Sequence, residues 1–306
     1  MQKKMKRILL TGATGYIGRY VLKELLKKKF KVTCFLRKGT HISFEVPSSV
    51  KIIKGDLLDK KSLDSATKDS DAVIHLAAAV RITSKKINYD VNVTGTRNLI
   101  KECKKNKIKR IIYISSVSVI RKRKGIYGKT KYMAEQLIKK SGMTYTIFRP
   151  TMIYGPEGQG INNIINYIKL FPLFIPLVGL GKYTRQPVSV EDTAKVIVMA
   201  LDKKSTYNKI YPLAGSDIIT FRNLVKMIAK EMRIRKILIP IPRFFCFIMA
   251  SIFEKVMKKP PFTREHIRSL SEDTRMDISE LIKDTGFKPI KLERGIKSLI
   301  SKIRWN

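Results

Sequence analysis

Acidic residues are scarce in this chain: 24 Asp and Glu stand against 63 Lys and Arg, a formal net charge of +39 at pH 7 over 306 residues. Cysteine and histidine are scarcer, with three of each. Cys34, Cys103 and Cys246 are scattered, which excludes a disulfide framework and suits a reducing compartment. His41, His75 and His266 are equally dispersed, and no Cys or His pair has metal-ligand spacing, so no metal is expected. Long apolar runs are missing. No stretch reaches the roughly 20 residues that span a bilayer. The run Ile8-Leu9-Leu10, behind a basic start, is too short for the core of a secretion signal. These absences lead to the expectation of a cytoplasmic protein.

What is present is a chain with 44% hydrophobic residues, long enough for one large core or two smaller ones. The positive excess is heavier in residues 1–150 than beyond. Such charge suits polyanions, whether nucleic acid, anionic membrane or phosphorylated substrate. A solvated Lys-rich surface explains it as simply. No nucleic-acid recognition motif accompanies it, so specific nucleic-acid binding is not expected.

The informative stretch is Arg7 to Gly18. Ile8 to Leu10 reads as a buried strand, and glycines follow at 12, 15 and 18. Ile17, Val21, Leu22, Leu25 and Leu26 then share one helical face. Strand, glycine turn and helix N-terminus make a phosphate cradle, because backbone N–H groups can approach an anion that the helix dipole favours. The first cofactor-contact candidates are therefore Gly12, Thr14, Gly15, Tyr16, Ile17 and Gly18. A second strand, Lys31 to Leu36, ends at Arg37 and Lys38. An acidic residue near this point would hold the ribose hydroxyl of NAD. A basic pair instead favours the 2′-phosphate of NADP, so NADP is expected over NAD.

The Gly-x-x-Gly-x-x-Gly spacing resembles the opening of the short-chain dehydrogenase/reductase superfamily. Later motifs resemble its extended branch, the NAD(P)-dependent epimerase/dehydratase family that acts on nucleotide-sugars, over nearly the whole chain. The resemblance implies an α/β fold: a Rossmann-type doubly wound parallel sheet with a smaller, interleaved C-terminal substrate-binding cap. It places residues 1–155 and 186–215 in the dinucleotide domain, and 156–185 with 216–306 in the cap. It implies that Asp56, with Leu57 beside it, meets the adenine. Leu76-Ala77-Ala78 would form a small-residue turn along the cofactor. Asn92, within Asn92-Val93-Thr94-Gly95-Thr96, would brace the sheet. Ile114, Pro150 and Ile153 would line the nicotinamide end, the last two within Arg149-Pro150-Thr151-Met152-Ile153-Tyr154-Gly155-Pro156. Arg185 would grip a substrate diphosphate, its plain alternative being a surface Arg at a sheet edge.

The catalytic candidates follow strand five, Ile111 to Ile114. Tyr127 and Lys131 stand at i and i+4 on one helix face. An ammonium beside a phenol lowers the phenol pKa and readies it for proton exchange with an alcohol. The resemblance puts the accompanying hydroxyl at Ser116. The segment Val117 to Ile126, with Arg121-Lys122-Arg123-Lys124, is shorter than in extended members and closer to reductase-like ones. Asp59 and Thr220 are expected as helix caps, and His75 as structural. Asn88 to Lys105 and Phe262 to Asn306 are expected to be helical.

The sequence therefore predicts an NAD(P)-dependent enzyme that transfers hydride on a nucleotide-sugar. Its alternatives are an NADPH-dependent ketone or aldehyde reductase and a non-catalytic cofactor-binding subunit or redox sensor. A homodimer is compatible with this reading. Two apolar runs, Phe171 to Val178 and Phe244 to Met249, the second leading through Met257 to Lys258-Lys259, together with Arg121 to Lys124, raise weak peripheral contact with anionic membrane. The competing expectation is that both runs pack into the cap.

Overall fold

Strands of β-branched residues alternating with amphipathic helices should close into a parallel sheet covered on both faces. The computed structural model describes residues 7–42, 44–80, 84–171, 173–257 and 263–303. Pro172, within the run Phe171 to Val178, and Lys258, Lys259, Phe262 and Asn306, named above, lie outside the described residues, as does the side chain of His266.

In chain order the elements begin with β1 (Arg7–Thr11), α1 (Tyr16–Lys27), β2 (Lys31–Arg37), β3 (Lys51–Gly55), α2 (Lys60–Thr67) and β4 (Ala72–His75). They continue with α3 (Lys85–Tyr89), α4 (Gly95–Lys105), β5 (Arg110–Ile114), α5 (Ile126–Lys139) and β6 (Thr144–Pro150). Next come β7 (Ile153–Tyr154), α6 (Gln159–Leu170), β8 (Phe174–Val178), β9 (Thr184–Arg185), β10 (Val188–Ser189), α7 (Val190–Met199) and β11 (Lys209–Leu213). The chain ends with β12 (Ile219–Thr220), α8 (Phe221–Glu231), β13 (Ile237–Ile241), α9 (Arg243–Val256), α10 (Arg264–Leu270), α11 (Ser279–Thr285) and α12 (Leu292–Lys302).

Two units divide the chain: Met1–Pro150, Val190–Leu213 and Ile278–Lys288 form the first, and the intervening segments with Pro289–Asn306 form the second. The first holds a seven-stranded sheet in the order β11-β6-β5-β4-β1-β2-β3, every pair parallel. Strand order reverses between β1 and β4, where ligands bind in sheets of this kind. Leu9, Val73, Ile111 and Ile147 fill its core from neighbouring strands. The second unit packs α6, α8 and α12 around Ile165, Leu224, Ile228 and Ile296. Among the described residues no helix is long and apolar enough to cross a membrane.

The unit boundaries depart from the sequence reading in four places: residues 151–155, 186–189 and 214–215 fall in the second unit, and 278–288, expected in the cap, in the first. Val188–Ser189 belongs to the second unit because β10 pairs there with β7. The Asp284 carboxylate accepts hydrogen bonds from Lys209 Nζ at 2.7 Å and Tyr211 Oη at 2.5 Å, tying α11 to β11. The helix expected over Asn88 to Lys105 carries a π-turn at Asp90–Thr94 between α3 and α4. The helix expected from Phe262 onward is three helices, one of them ended by Gly286 at φ +72°. Both caps formed: Asp59 accepts from the Lys61 N–H at 3.0 Å and Thr220 from that of Asn223 at 3.2 Å.

Candidate active site

Parallel register delivers most of the predicted residues to one edge of the first unit. Thr11 pairs with Phe35 and His75, Arg37 with Gly55, and Ile114 with Phe148. The turn 12–15, Arg37-Lys38, Asp56, Leu76 to Ala78 and Ser116 thus all leave the carboxyl ends of adjacent strands. Ile153 and Arg185 fall in the second unit.

The glycine turn fits a dinucleotide phosphate. A Cβ at Gly12, where φ is +76°, would stand 2.6 Å from the Ala77 nitrogen, and one at Gly18 would stand 2.0 Å from the Gly12 carbonyl oxygen. Backbone packs on backbone there, and only glycine allows it. Helix α1 starts at Tyr16 with no side-chain cap and no acidic residue in its first turn. Its N-terminal dipole is therefore unanswered by a carboxylate of its own. Arg37 and Lys38 are exposed at the end of β2. Asp56 is exposed, its Oδ1 accepting from the Leu58 N–H at 2.8 Å, while Leu57 is buried.

A chain of hydrogen bonds connects this turn to the helix that carries Tyr127. The Ala77 N–H donates to Thr11 Oγ1 at 3.3 Å, and Thr11 Oγ1 lies 2.7 Å from His75 Nδ1. His75 Nε2 is 3.0 Å from Thr96 Oγ1, which donates to the Asn92 carbonyl at 2.7 Å. That last bond leaves Thr96 an acceptor, so Nε2 carries the imidazole proton and Nδ1 accepts from Thr11. Burial, with Lys131 nearby, pushes His75 down to about 3 and keeps it neutral. Asn92, in the π-turn, accepts from the Ala79 N–H at 2.8 Å and donates to Thr130 Oγ1 at 3.0 Å. Thr130 sits on α5 between Tyr127 and Lys131. The predicted brace at Asn92 thus reaches a helix as well as the loop after β4.

Lys131 is 1% exposed. Its Nζ donates to the Ile114 carbonyl at 2.5 Å and stands 4.0 Å from the Tyr113 ring centroid, a cation–π contact. Burial lowers its pKa to about 7, and Glu135 one turn later pulls it upward. Glu135 is fully buried and held by Arg149, whose Nη2 donates at 2.6 Å and Nε at 3.0 Å. Tyr127 is half-buried, and desolvation pushes its phenol up to about 12. The expected lowering by Lys131 is corrected here: in the chain itself burial raises the Tyr127 phenol. Ser116 caps the short turn Val117–Ile120, its Oγ accepting from the Ser118 N–H at 3.1 Å, so the hydroxyl proton remains to be donated.

Sequence reasoning missed Tyr113, Thr130 and the Glu135–Arg149 pair. Thr130 had a signal, since i+3 from Tyr127 shares its face. Tyr113 had none beyond strand alternation. Arg185, in the second unit, is 4% exposed, which removes the surface alternative. Its Nη1 donates to the carbonyls of Thr184 at 2.6 Å and Glu272 at 2.7 Å, and its Nη2 to Ser269 at 3.0 Å. Among the described residues no group of three or more His, Cys, Asp or Glu could hold a metal ion.

Comparison with known proteins bears on this geometry. Residues 8–214 match the model of the NAD dependent epimerase/dehydratase family. A UDP-glucose 4-epimerase of Vibrio cholerae is 27% identical over 97% of this chain and 95% of its own length. An N-acetyl-alpha-D-glucosaminyl-diphospho-ditrans,octacis-undecaprenol 4-epimerase of Escherichia coli O157:H7 is 26% identical over 94% of this chain and 92% of its own. The structure of a Thermus thermophilus UDP-glucose 4-epimerase in complex with NAD shares the fold, with a TM-score of 0.74 and 20% identity over 96% of this chain and 98% of that one.

Proposed function

The chain belongs to the NAD dependent epimerase/dehydratase family, and we propose that it acts on a sugar joined through a diphosphate to a nucleotide, with Ser116, Tyr127 and Lys131 at the reacting oxygen. The observation that carries this reading is Lys131, a buried lysine fixed by the Ile114 carbonyl and the Tyr113 ring one helical turn from Tyr127. Buried charges of this kind cluster at functional sites. The Vibrio cholerae relative is named for 4-epimerisation of a UDP-sugar, which supports the nucleotide-linked class, and the Escherichia coli relative for that of a sugar diphospho-linked to undecaprenol, which supports the diphosphate alone.

A bound NAD(P) supplies hydride acceptance and return. Gly12 to Gly18 would hold its pyrophosphate, Arg37 and Lys38 the 2′-phosphate of NADP, and Asp56 with Leu57 the adenine side. Leu76 to Ala78, Asn92, Ile114, Pro150 and Ile153 would complete its binding. Ser116 donates to the substrate oxygen and fixes its direction. For hydride to leave the sugar carbon the substrate hydroxyl must give up its proton. Tyr127, whose phenol burial pushes up to about 12 in the chain alone, must therefore first be deprotonated to accept that proton, and it returns the proton to the oxygen when the hydride comes back. Lys131, near 7, changes charge within the physiological range and sets how readily Tyr127 releases its proton.

Arg185 joins the substrate side through the segment whose carbonyls it holds, Ser269 to Glu272. Arg185→Ala should raise KM for a diphosphate-linked sugar far more than it alters dinucleotide affinity. A KM indifferent to this change removes the nucleotide-sugar reading. A second reading, net reduction of a ketone or aldehyde by NADPH, is favoured by the short Val117 to Ile126 segment and the basic pair at 37–38. Assay with UDP-sugars separates the two. Turnover with the dinucleotide retained and not consumed fits epimerisation, and stoichiometric NADPH loss fits reduction.

A further inference from the structure

We propose that the second unit carries a docking surface for an anionic lipid bilayer, built from the outer stripe of α9 and the cationic groove beside β13. Helix α9 buries Cys246 and Ala250 against Ile267. Its opposite side carries Phe245, Ile248, Met249, Ile252 and Val256, spaced i, i+3, i+4, i+7 and i+11 along one stripe. All five are exposed, Phe245 at 58% and Val256 at 77%. An ordinary amphipathic helix would put polar side chains there. Contiguous exposed apolar side chains mark an interaction site.

Pro242 joins this helix to β13, which pairs with β8. Alternation sends Leu238, Ile175 and Leu177 into the core and leaves Ile237, Ile239 and Phe174 exposed, Ile237 at 73%. Ile237 also lines an open groove of about 680 Å³ whose polar lining is Arg222, Lys226, Lys230, Arg233, Arg235 and Lys236. Among the described residues no acidic side chain lines it. Glu231 of α8 stays outside the lining, and the one acid on α9, Glu254, is paired with Arg264 at 2.6 Å. No carboxylate in the lining therefore opposes the positive charge, though Lys236 Nζ already donates to the Ile168 and Phe171 carbonyls.

The combination selects the occupant. An exposed apolar helical stripe and a cationic cluster in the same unit are the two features with which a peripheral helix meets the headgroup boundary of an anionic leaflet. At 14 residues, about 21 Å by the usual rise, α9 is suited to lying in that plane rather than crossing. A second copy of this chain would bring the same six cations toward its own kind. Nucleic acid would answer the groove but leave an aliphatic stripe with nothing apolar to meet.

Co-sedimentation of the full chain with vesicles tests this. Vesicles of phosphatidylcholine mixed with phosphatidylglycerol should carry the protein down at low salt, and phosphatidylcholine alone should not. High salt should release it. Phe245→Ser with Ile252→Ser should abolish sedimentation. Neutralising Lys226, Lys230 and Arg233 to Gln should weaken it about fivefold for each cation removed. Retained circular dichroism and dinucleotide binding, the latter a property of the glycine turn in the other unit, certify that each variant is folded. No sedimentation at low salt overturns the proposal. So does equal binding to neutral vesicles, or binding that ignores both sets of substitutions. A mass that halves in the Phe245→Ser and Ile252→Ser variant, without lipid dependence, assigns the face to a second copy and overturns it as well.

Discussion

Helices α5 and α9 are both 14 residues long and depart from the inside–outside rule in opposite directions. Helix α5 buries charge: Lys131 is 1% exposed and Glu135 not at all, while its Tyr132 and Met133 face solvent. Helix α9 exposes hydrophobes along a full stripe and buries little more than Cys246 and Ala250. The difference lies in what answers each departure. Glu135 meets a bidentate Arg149, and Lys131 meets a carbonyl and an aromatic face. Desolvating a charge is tolerable when its partners are fixed. Among the described residues the α9 stripe has no such answer, and the proposed bilayer contact would supply it.

That contrast can be broken most forcefully on α5. Tyr127→Phe should lower kcat by a factor on the order of 10² to 10⁴, the range of a lost general acid. Dinucleotide affinity should stay as it was, and steady-state kinetics with a titration of cofactor fluorescence would check both. Normal turnover on the true substrate would remove Tyr127 from the catalytic role.

Next in size is the ion pair. Glu135→Ala leaves the Arg149 guanidinium without its carboxylate and should cost about 3–5 kcal/mol in denaturant unfolding. Replacing both residues by Met should recover most of that loss, because no unpaired charge then remains.

Lys131 gives a pH signature of similar origin. Its pKa falls from 10.5 to about 7 on folding. Between those values the unfolded chain holds the proton more tightly, so stability should climb as pH rises from about 7 toward 10.5. The slope is at most about 1.4 kcal/mol per pH unit. Below the lower value the penalty is full and constant. Lys131→Met should remove the climb, and unfolding midpoints measured across this range would show it. Parallel curves for the two proteins would mean that Lys131 titrates normally.

Cofactor choice should shift less. Arg37→Asp removes a charge-assisted bond of about 1.5–3 kcal/mol and sets an anion beside the phosphate, so an NADP preference of roughly tenfold or more should vanish. Equal affinity of the wild type for NAD and NADP would remove the assignment. Smallest of all, Ile248→Ser on α9 should change stability by no more than about 0.5 kcal/mol, since that side chain already faces water. Ala250→Leu, on the buried side of the same helix, should cost about 1–3 kcal/mol by overpacking. Equal effects at the two positions would mean that both faces of α9 are buried.

Local signals in the sequence were legible where local forces decide the outcome. The glycine turn, the caps at Asp59 and Thr220 and the strand Lys209–Leu213 depend on neighbours in sequence. The π-turn at Asp90–Thr94 does not, because Asn92 reaches Ala79 and Thr130, 13 and 38 residues away. Helix spacing places Lys131 one turn from Tyr127 but does not show the desolvation that raises the Tyr127 phenol. Arg185 was identified by its motif, but its three carbonyl partners include Ser269 and Glu272, which no spacing rule connects to it. For α9 the apolar period was plain, yet period alone leaves open which side of a helix that is apolar all round faces the core.

The interleaving of the two units has a consequence for synthesis. The polypeptide passes from one unit to the other five times. When Pro150 leaves the ribosome, β6 is an open sheet edge, because its neighbour β11 is still some sixty residues behind. At roughly 5–20 residues per second, that edge waits for several seconds. Asp284, which fastens α11 to β11, comes later still. An unpaired edge is a template for pairing with another nascent chain. A truncation at the end of the sixth strand should therefore aggregate rather than yield a working dinucleotide module, even though every glycine of the cradle is present in it.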